Sequence, residues 1–298
     1  MNALTTARPG RLRLIMVVAV MAMFSLLGAA AAGGAARAAN ARGLSWAGRT
    51  RPVIVLEHGA WADSSSWDGV IRILMREGFT VYAPPNPLRG LPSDAAYLQD
   101  FLTENAALAG KPVVLVGHSY GGAVITDAAV GDAEIKALVY VDAFIPDKGE
   151  SISALLALPQ GAGSCIGGNP ATVFDPVPFP GVPPGDADLY LQPDKFPGCF
   201  ASGLSVREAA LLAATQRPLA ANAATDVSSA PAWKTIPSWA VVGTADRVIP
   251  PALLTFMAER AGARITDVKA GHLSLISRPG AVARVITRAA WASAQSHD

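Results

Sequence analysis

The sequence predicts an α/β domain built on a mostly parallel, doubly wound sheet, interrupted by one large insertion. Short apolar runs rich in β-branched residues recur along the chain, segments of helical periodicity alternate with them, and a single Pro/Gly-rich stretch breaks the alternation. Val53-Ile54-Val55-Leu56 is the first such run, with the unbroken apolar character of a strand buried on both faces. Similar runs follow at 80–82, 113–116, 137–141, 239–242 and 264–268. Between them, 67–77 places Val70, Ile71, Leu74 and Met75 on one helical face, and further helices are expected at 95–108, 122–130, 253–261 and 281–291. Strands alternating with helices imply a parallel sheet covered on both sides.

The interruption covers about 146–230. Prolines crowd Phe174-Asp175-Pro176-Val177-Pro178-Phe179-Pro180, and only 153–158 and 206–214 read as helical. A stretch this long without regular structure inside a compact domain is usually functional, so a lid is expected; an ordinary surface excursion is the alternative.

Before Pro52 the chain reads as an address. Arg8, Arg11 and Arg13 precede an apolar run at 14–32, and Ala36-Arg37-Ala38 offers small residues for cleavage. This predicts a signal peptide over 1–38, a linker over 39–50 and the folded domain over 51–298. A retained membrane anchor is the competing reading, since a spanning helix needs about 20 apolar residues. The Ala- and Gly-rich second half of the run favours cleavage, and the lack of paired arginines favours the general secretory route. Export to an oxidising compartment would let Cys165 and Cys199, the only two cysteines, persist as a disulfide rather than as two buried thiols.

Composition removes several classes of function. The chain is 51% hydrophobic and 16% charged, which supports a core rather than disorder. Lys+Arg (24) and Asp+Glu (23) nearly cancel, so no field draws nucleic acid to it. The four histidines are scattered and no metal, phosphate-loop or dinucleotide motif occurs, so no metal and no cofactor are expected.

The chemistry is expected at Gly117-His118-Ser119-Tyr120-Gly121, which fits G-x-S-x-G with a buried strand before it and a helix after it. That setting makes Ser119 the candidate nucleophile, exposed on a sharp strand-to-helix turn. A serine hydroxyl needs a base. His297 sits next to the last residue, His118 leaves the turn in another direction and His58 organises the loop after the first strand, which leaves His272 in Ala270-Gly271-His272-Leu273. Asp246, within Gly243-Thr244-Ala245-Asp246, is the candidate carboxylate behind it and yields the chain order Ser, Asp, His; Asp142 is its rival. The Tyr120 and Ala60 amides are the candidate oxyanion donors, and Trp61 reads equally as core or as a wall of the acyl pocket.

Together His58-Gly59-Ala60-Trp61, 117–122, 243–250 and Gly271-His272 resemble the α/β-hydrolase superfamily over 52–291, within it the branch of small esterases, hydroxynitrile lyases and plant methyl esterases. Glu57 departs from that pattern, where relatives carry an apolar residue, and as a buried charge would need a partner. The resemblance implies an α/β-hydrolase fold and a serine hydrolase that works through an acyl-enzyme, though the lid matches the family only loosely; the N-terminal segment makes it a secreted one, and the apolar insertion with few basic residues points to a small, fairly hydrophobic ester or lactone. Lyase or perhydrolase chemistry on the same three residues is the alternative, and a non-catalytic binding module would have lost one of them. The expected partner is a small-molecule ester, with no nucleic acid and no lasting membrane anchor; the sequence sets no oligomeric state.

Overall fold

The computed structural model describes residues 46, 48–181 and 185–295; the expected signal peptide, most of the linker, Val182-Pro183-Pro184 and His297 lie outside them. The chain divides into Met1–Arg49 and Thr50–Asp298, and every helix and strand described belongs to the second unit.

Six parallel strands form the central sheet: β1 (Val53–Glu57), β2 (Val81–Tyr82), β3 (Val113–His118), β4 (Ile135–Val141), β8 (Ser238–Gly243) and β9 (Arg264–Val268), in the order β2-β1-β3-β4-β8-β9. Residues of β1, β3 and β8 are buried throughout, as their unbroken apolar runs require. At β9 the expectation of a doubly buried strand fails. It is an edge strand, and Arg264, Ile265 and Asp267 face solvent.

Helices α1 (Asp68–Arg76), α2 (Leu91–Glu104), α3 (Tyr120–Ala128), α7 (Pro251–Arg260) and α9 (Pro279–Gln295) cover the sheet. The crossover from β1 to β2 runs the opposite way along the sheet from those leading to β3, β4 and β9, so right-handed connections put α1 on one face and α2, α3 and α7 on the other. On α1, Val70 and Leu74 are buried as expected, whereas Met75 is 61% exposed at the rim of the apolar face.

Between β4 and β8 the chain is more ordered than its sequence suggests. It holds α4 (Ile152–Leu156), α5 (Val206–Thr215), α6 (Ala221–Thr225) and a three-stranded antiparallel sheet, β5 (Phe174–Val177), β6 (Asp188–Leu191) and β7 (Leu219–Ala220). Pro176 is tolerated because β5 is an edge strand, where a missing N–H need not break the ladder. Two seams fasten this segment to the core. On one side Ala220 N–H donates to the Leu88 carbonyl (3.0 Å), Leu91 N–H to Asp226 (2.9 Å) and Trp61 Nε1–H to the Leu189 carbonyl (2.8 Å). On the other, Cys165 N–H donates to the Arg247 carbonyl (2.8 Å) and Arg247 Nη1–H to the Gly198 carbonyl (2.8 Å).

Cys165 and Cys199 are bonded, with Cα atoms 5.7 Å apart and 34 positions apart in sequence. Closing a loop of that length is worth about 3–4 kcal/mol in the chain-entropy view. Because the central sheet carries most of the apolar burial, reduction should expose the 165–199 loop to limited proteolysis before the sheet unfolds, together with a fall in Tm. Loss of both in a single step would contradict this order.

Candidate active site

Ser119 follows β3 in a left-handed conformation, φ 54° and ψ −123°, which a residue with a side chain seldom adopts and which costs on the order of 1–3 kcal/mol. Neighbouring backbone holds it there: the Ser119 carbonyl accepts from the Gly122 amide (3.0 Å) and the Phe144 amide (3.1 Å). The turn also presses on β1. A Cβ at Gly121 would stand 2.7 Å from the Glu57 carbonyl oxygen, and one at Gly59 would stand 2.7 Å from Ser119 Cβ. Glycine is therefore needed at both places for the two chain segments to touch.

Ser119, Asp246 and His272 come together from three different strand ends. His272 Nε2 lies 2.8 Å from Ser119 Oγ, and His272 Nδ1 lies 2.8 Å from Asp246 Oδ2. The other Asp246 oxygen accepts the Val248 amide (2.8 Å) and the Ile249 amide (3.0 Å). Burial lowers the His272 pKa to about 3, so the ring is neutral at ordinary pH. Burial raises that of Asp246, and the Ile249 and Val248 amides oppose the rise. With Nδ1–H given to Asp246, the lone pair of Nε2 faces the Ser119 hydroxyl, the arrangement in which imidazole can take a proton from serine.

Asp142 follows β4 and does not bond His272. Its Oδ1 accepts the Gly243 amide (2.7 Å), and its Oδ2 meets the Ser274 hydroxyl at the start of α8 (Ser274–Ser277). It thereby ties β4 to the segments that present Asp246 and His272. Burial, reinforced by the Asp246 charge, pushes the Asp142 carboxyl well above its ordinary range.

His118 and His58 stand apart from this chain of bonds. His118 Nε2–H donates to the His272 carbonyl (3.0 Å), with the two rings 4.8 Å apart. His58 Nε2 accepts the Asn86 amide (2.9 Å), in keeping with a loop-organising role, and His297 is outside the described residues.

Beside Ser119, Tyr120 N–H opens α3, and the loop carrying Ala60 approaches closely enough that a Gly59 Cβ would lie 3.2 Å from the Tyr120 nitrogen. Among the described residues neither the Ala60 nor the Tyr120 amide donates to another protein group. Trp61 is 4% exposed, stacks on Phe174 at 5.5 Å and meets Phe200 edge-on at 5.8 Å. Phe200 in turn lies 5.3 Å from the His272 ring.

Sequence reasoning overlooked Phe200 and Asp94. Phe200 could have been suspected from its bonded neighbour Cys199. Asp94 carried no such signal, yet it accepts the Tyr120 hydroxyl (2.7 Å) and the Arg89 amide (3.0 Å), bracing the helix that begins beside Ser119.

Residues 53–285 match the model of the alpha/beta hydrolase family, and the chain belongs to it. It is similar to a carbendazim-hydrolysing esterase of Nocardioides sp. (strain SG-4G), 37% identical over 133 residues, which are 41% of this chain and 55% of that protein. The chain thus matches about half the length of that relative. Among solved structures it is similar to a pyrethroid hydrolase from Sphingobium faniae JZ-2 (TM-score 0.65, 19% identity, 82% of this chain and 99% of that one). It is also similar to polyneuridine aldehyde esterase (TM-score 0.66, 19% identity, 80% and 99%) and to an extracellular alpha/beta-hydrolase from a Paenibacillus species (TM-score 0.60, 21% identity, 80% and 98%). At these identities the structural likeness bears on the fold.

Glu57, at the end of β1, is 1% exposed, and neither carboxyl oxygen has a hydrogen-bond partner within the described protein. Burial, then the Asp94 charge, raise its pKa well above the usual carboxylate value, so it is held neutral. A group whose folded pKa is raised contributes stability below its unfolded pKa and loses it as pH climbs toward the folded value. Glu57→Gln copies the neutral form. Its Tm advantage over the parent protein should therefore grow as pH is raised from about 5 to about 9 in thermal melts. An advantage that stays constant with pH would mean that Glu57 is already ionised in the fold.

Proposed function

We propose that the chain is an exported serine hydrolase that cleaves small, uncharged, apolar carboxylic esters or lactones through an acyl-enzyme. The observation that carries this reading is the hydrogen-bonded line Ser119 Oγ, His272 Nε2, His272 Nδ1, Asp246, placed on a strained turn beside two amides that have no acceptor among the described residues. In the proposed reaction His272 takes the Ser119 proton as Oγ forms a bond to the substrate carbonyl carbon. The Ala60 and Tyr120 amides receive the oxyanion, and His272 returns the proton to the departing oxygen as its bond to carbon breaks. Water, activated by the same histidine, then releases the acid. Asp246 keeps the proton of His272 on Nδ1 and balances the imidazolium.

The carbendazim-hydrolysing esterase and the pyrethroid hydrolase support an ester substrate, and the Paenibacillus protein, described as extracellular, supports export. Export also fits the Cys165–Cys199 bond and the expected 1–38 signal peptide. Among the described residues no helix is long and apolar enough to cross a membrane. The segment over 146–230 acts as the lid. A lyase would call for a lysine beside the three residues; Lys195 pairs with Asp194 and Lys234 with Asp147, all four at least partly exposed.

Labelling with a fluorophosphonate probe tests the nucleophile. Ser119→Ala should abolish labelling and lower ester turnover by a factor on the order of 10⁶, as does removal of a group acting in such a unit. Labelling that persists at another serine would sink the assignment. Asp246→Asn should lower kcat by about 10⁴ through the wrong histidine tautomer. Asp142→Asn should cost far less, since Asp142 is already neutral and bonds other groups; a reversed ranking would move the acid to β4. Because burial holds His272 neutral far below its ordinary value, the acid limb of kcat/KM should fall below about pH 5. A limb at an ordinary histidine pKa would show that the ring is solvated in the working enzyme.

A further inference from the structure

Ser119 is 2% exposed and His272 is fully buried, so a substrate must pass the segment that covers them. An apolar route reaches their flank. Its outer part is a groove of about 300 Å³ between α5 and the start of α1, walled by Leu211, Leu212, Ile276, Ser65, Ser66 and Gly69. That volume is at the lower end of ligand pockets in general. Leu212, Ile276, Ser65 and Ser66 also line a smaller inner cavity of about 20 Å³, so the two spaces adjoin at these side chains. The inner cavity ends on Trp61, Phe200 and Leu273. Phe200 packs on the His272 ring, and Leu273 is its neighbour in the chain. The inner cavity therefore abuts the residues that flank His272.

The outer wall is built to move. Of α5 only Ala209 is buried, and no hydrogen bond or ion pair among the described residues joins Val206–Thr215 to the core. Its first turn is closed locally, with Ser205 and Glu208 capping each other, so no core group is needed to satisfy it. At the other end Gln216 is fixed to Leu191 by two bonds, of 2.9 and 3.0 Å. Gly203, at φ 88°, precedes the helix and supplies a hinge. The seams on both sides of the segment, described above, leave α5 as the part free to swing.

We propose that this route holds the alcohol portion of the ester, with α5 as its hinged outer wall and Leu212 and Ile276 setting the alcohol it accepts. The inference rests on the hydrolase reading. When the tetrahedral intermediate collapses, the carbon–oxygen bond to the alcohol breaks and that oxygen takes the proton from His272 Nε2, so the alcohol must lie on the His272 side. The inner cavity abuts the residues that flank that ring. Its walls match an uncharged alkyl or aryl alcohol. Asp63 lines the inner cavity, and Asp68 and Glu208 line the groove, so carboxylates would repel an anionic group trying to enter.

The test uses the full chain and two substrate series: acetate esters of methanol, butanol and octanol, and p-nitrophenyl esters of graded acyl length. Leu212→Trp and Ile276→Trp, each checked for folding by thermal melting, should lower kcat/KM for octyl acetate relative to methyl acetate at least about ten-fold. That corresponds to losing contact with roughly one methylene. Val206→Ser, on α5 but 84% exposed and outside both walls, should leave that ratio within about two-fold of the parent. An unchanged ratio in both tryptophan variants, or a change confined to the acyl series, would overturn the assignment of the route to the alcohol. Failure of the parent protein to label at Ser119 or to hydrolyse any ester would instead remove the hydrolase reading itself.

Discussion

The approach of two neighbouring strand ends governs the candidate site. β1 and β3 lie side by side where the strand order reverses, and the chain leaves each of them on the same edge of the sheet. At such a reversal the departing segments turn to opposite faces and open a crevice between them. Here the crevice is nearly closed by backbone. The Gly59 loop and the Ser119 turn touch so tightly that a single Cβ at Gly59 or Gly121 would collide with main chain or with Ser119. The strained φ of Ser119 persists because Val141 and Phe144 hold its backbone from the β4 side and Gly122 holds it from the first turn of α3. Both amides proposed as oxyanion donors arise from this one contact, so any loosening of the strand pair would disturb nucleophile and donors together.

Burial then sets the charges. Four ionisable groups, Asp142, Asp246, His272 and His118, lie within a few ångströms of one another in nearly dry surroundings. Desolvation alone would neutralise all of them. Asp246 differs because two backbone amides and the His272 N–H point at it, and this donor set favours its anion. Asp142 is driven toward the neutral form both by burial and by the Asp246 charge, and it has no comparable bond to the histidine. His118 stays neutral for the same reason and serves as a brace, its Nε2–H holding the His272 carbonyl.

The covering segment depends on a third kind of constraint. Its own apolar content is modest, and its strands are short, with β7 only two residues long. Order comes from anchoring: the disulfide fixes Cys199, and Phe200, next in the chain, is wedged between Trp61 and His272. Trp61 packs on Phe174 and Phe200 and also faces the inner cavity. Rigid seams and a loosely held α5 coexist in one segment. That division is what a cover needs if it must shape a site and still admit a ligand.

The sequence by itself determined the parallel sheet and the elements that end on Ser119, Asp246 and His272. Continuous apolar runs can be buried only between two layers of helix, and a glycine-flanked serine between strand and helix fits only a sharp turn. Strand and helix bounds moved by a few residues because packing extends an element past its apolar center, as at His118 and Gly243. The antiparallel sheet of the insertion was not legible, because its strands gain their hydrogen bonds only from partners far along the chain and carry proline. Sequence favoured Asp246 over Asp142 as the partner of His272 through motif context and the chain order Ser, Asp, His, but it held no contact between them. Both carboxylates follow strands at the same sheet edge, and only the folded path of the loops after β8 and β9 turns one toward the imidazole and the other toward Gly243 and Ser274.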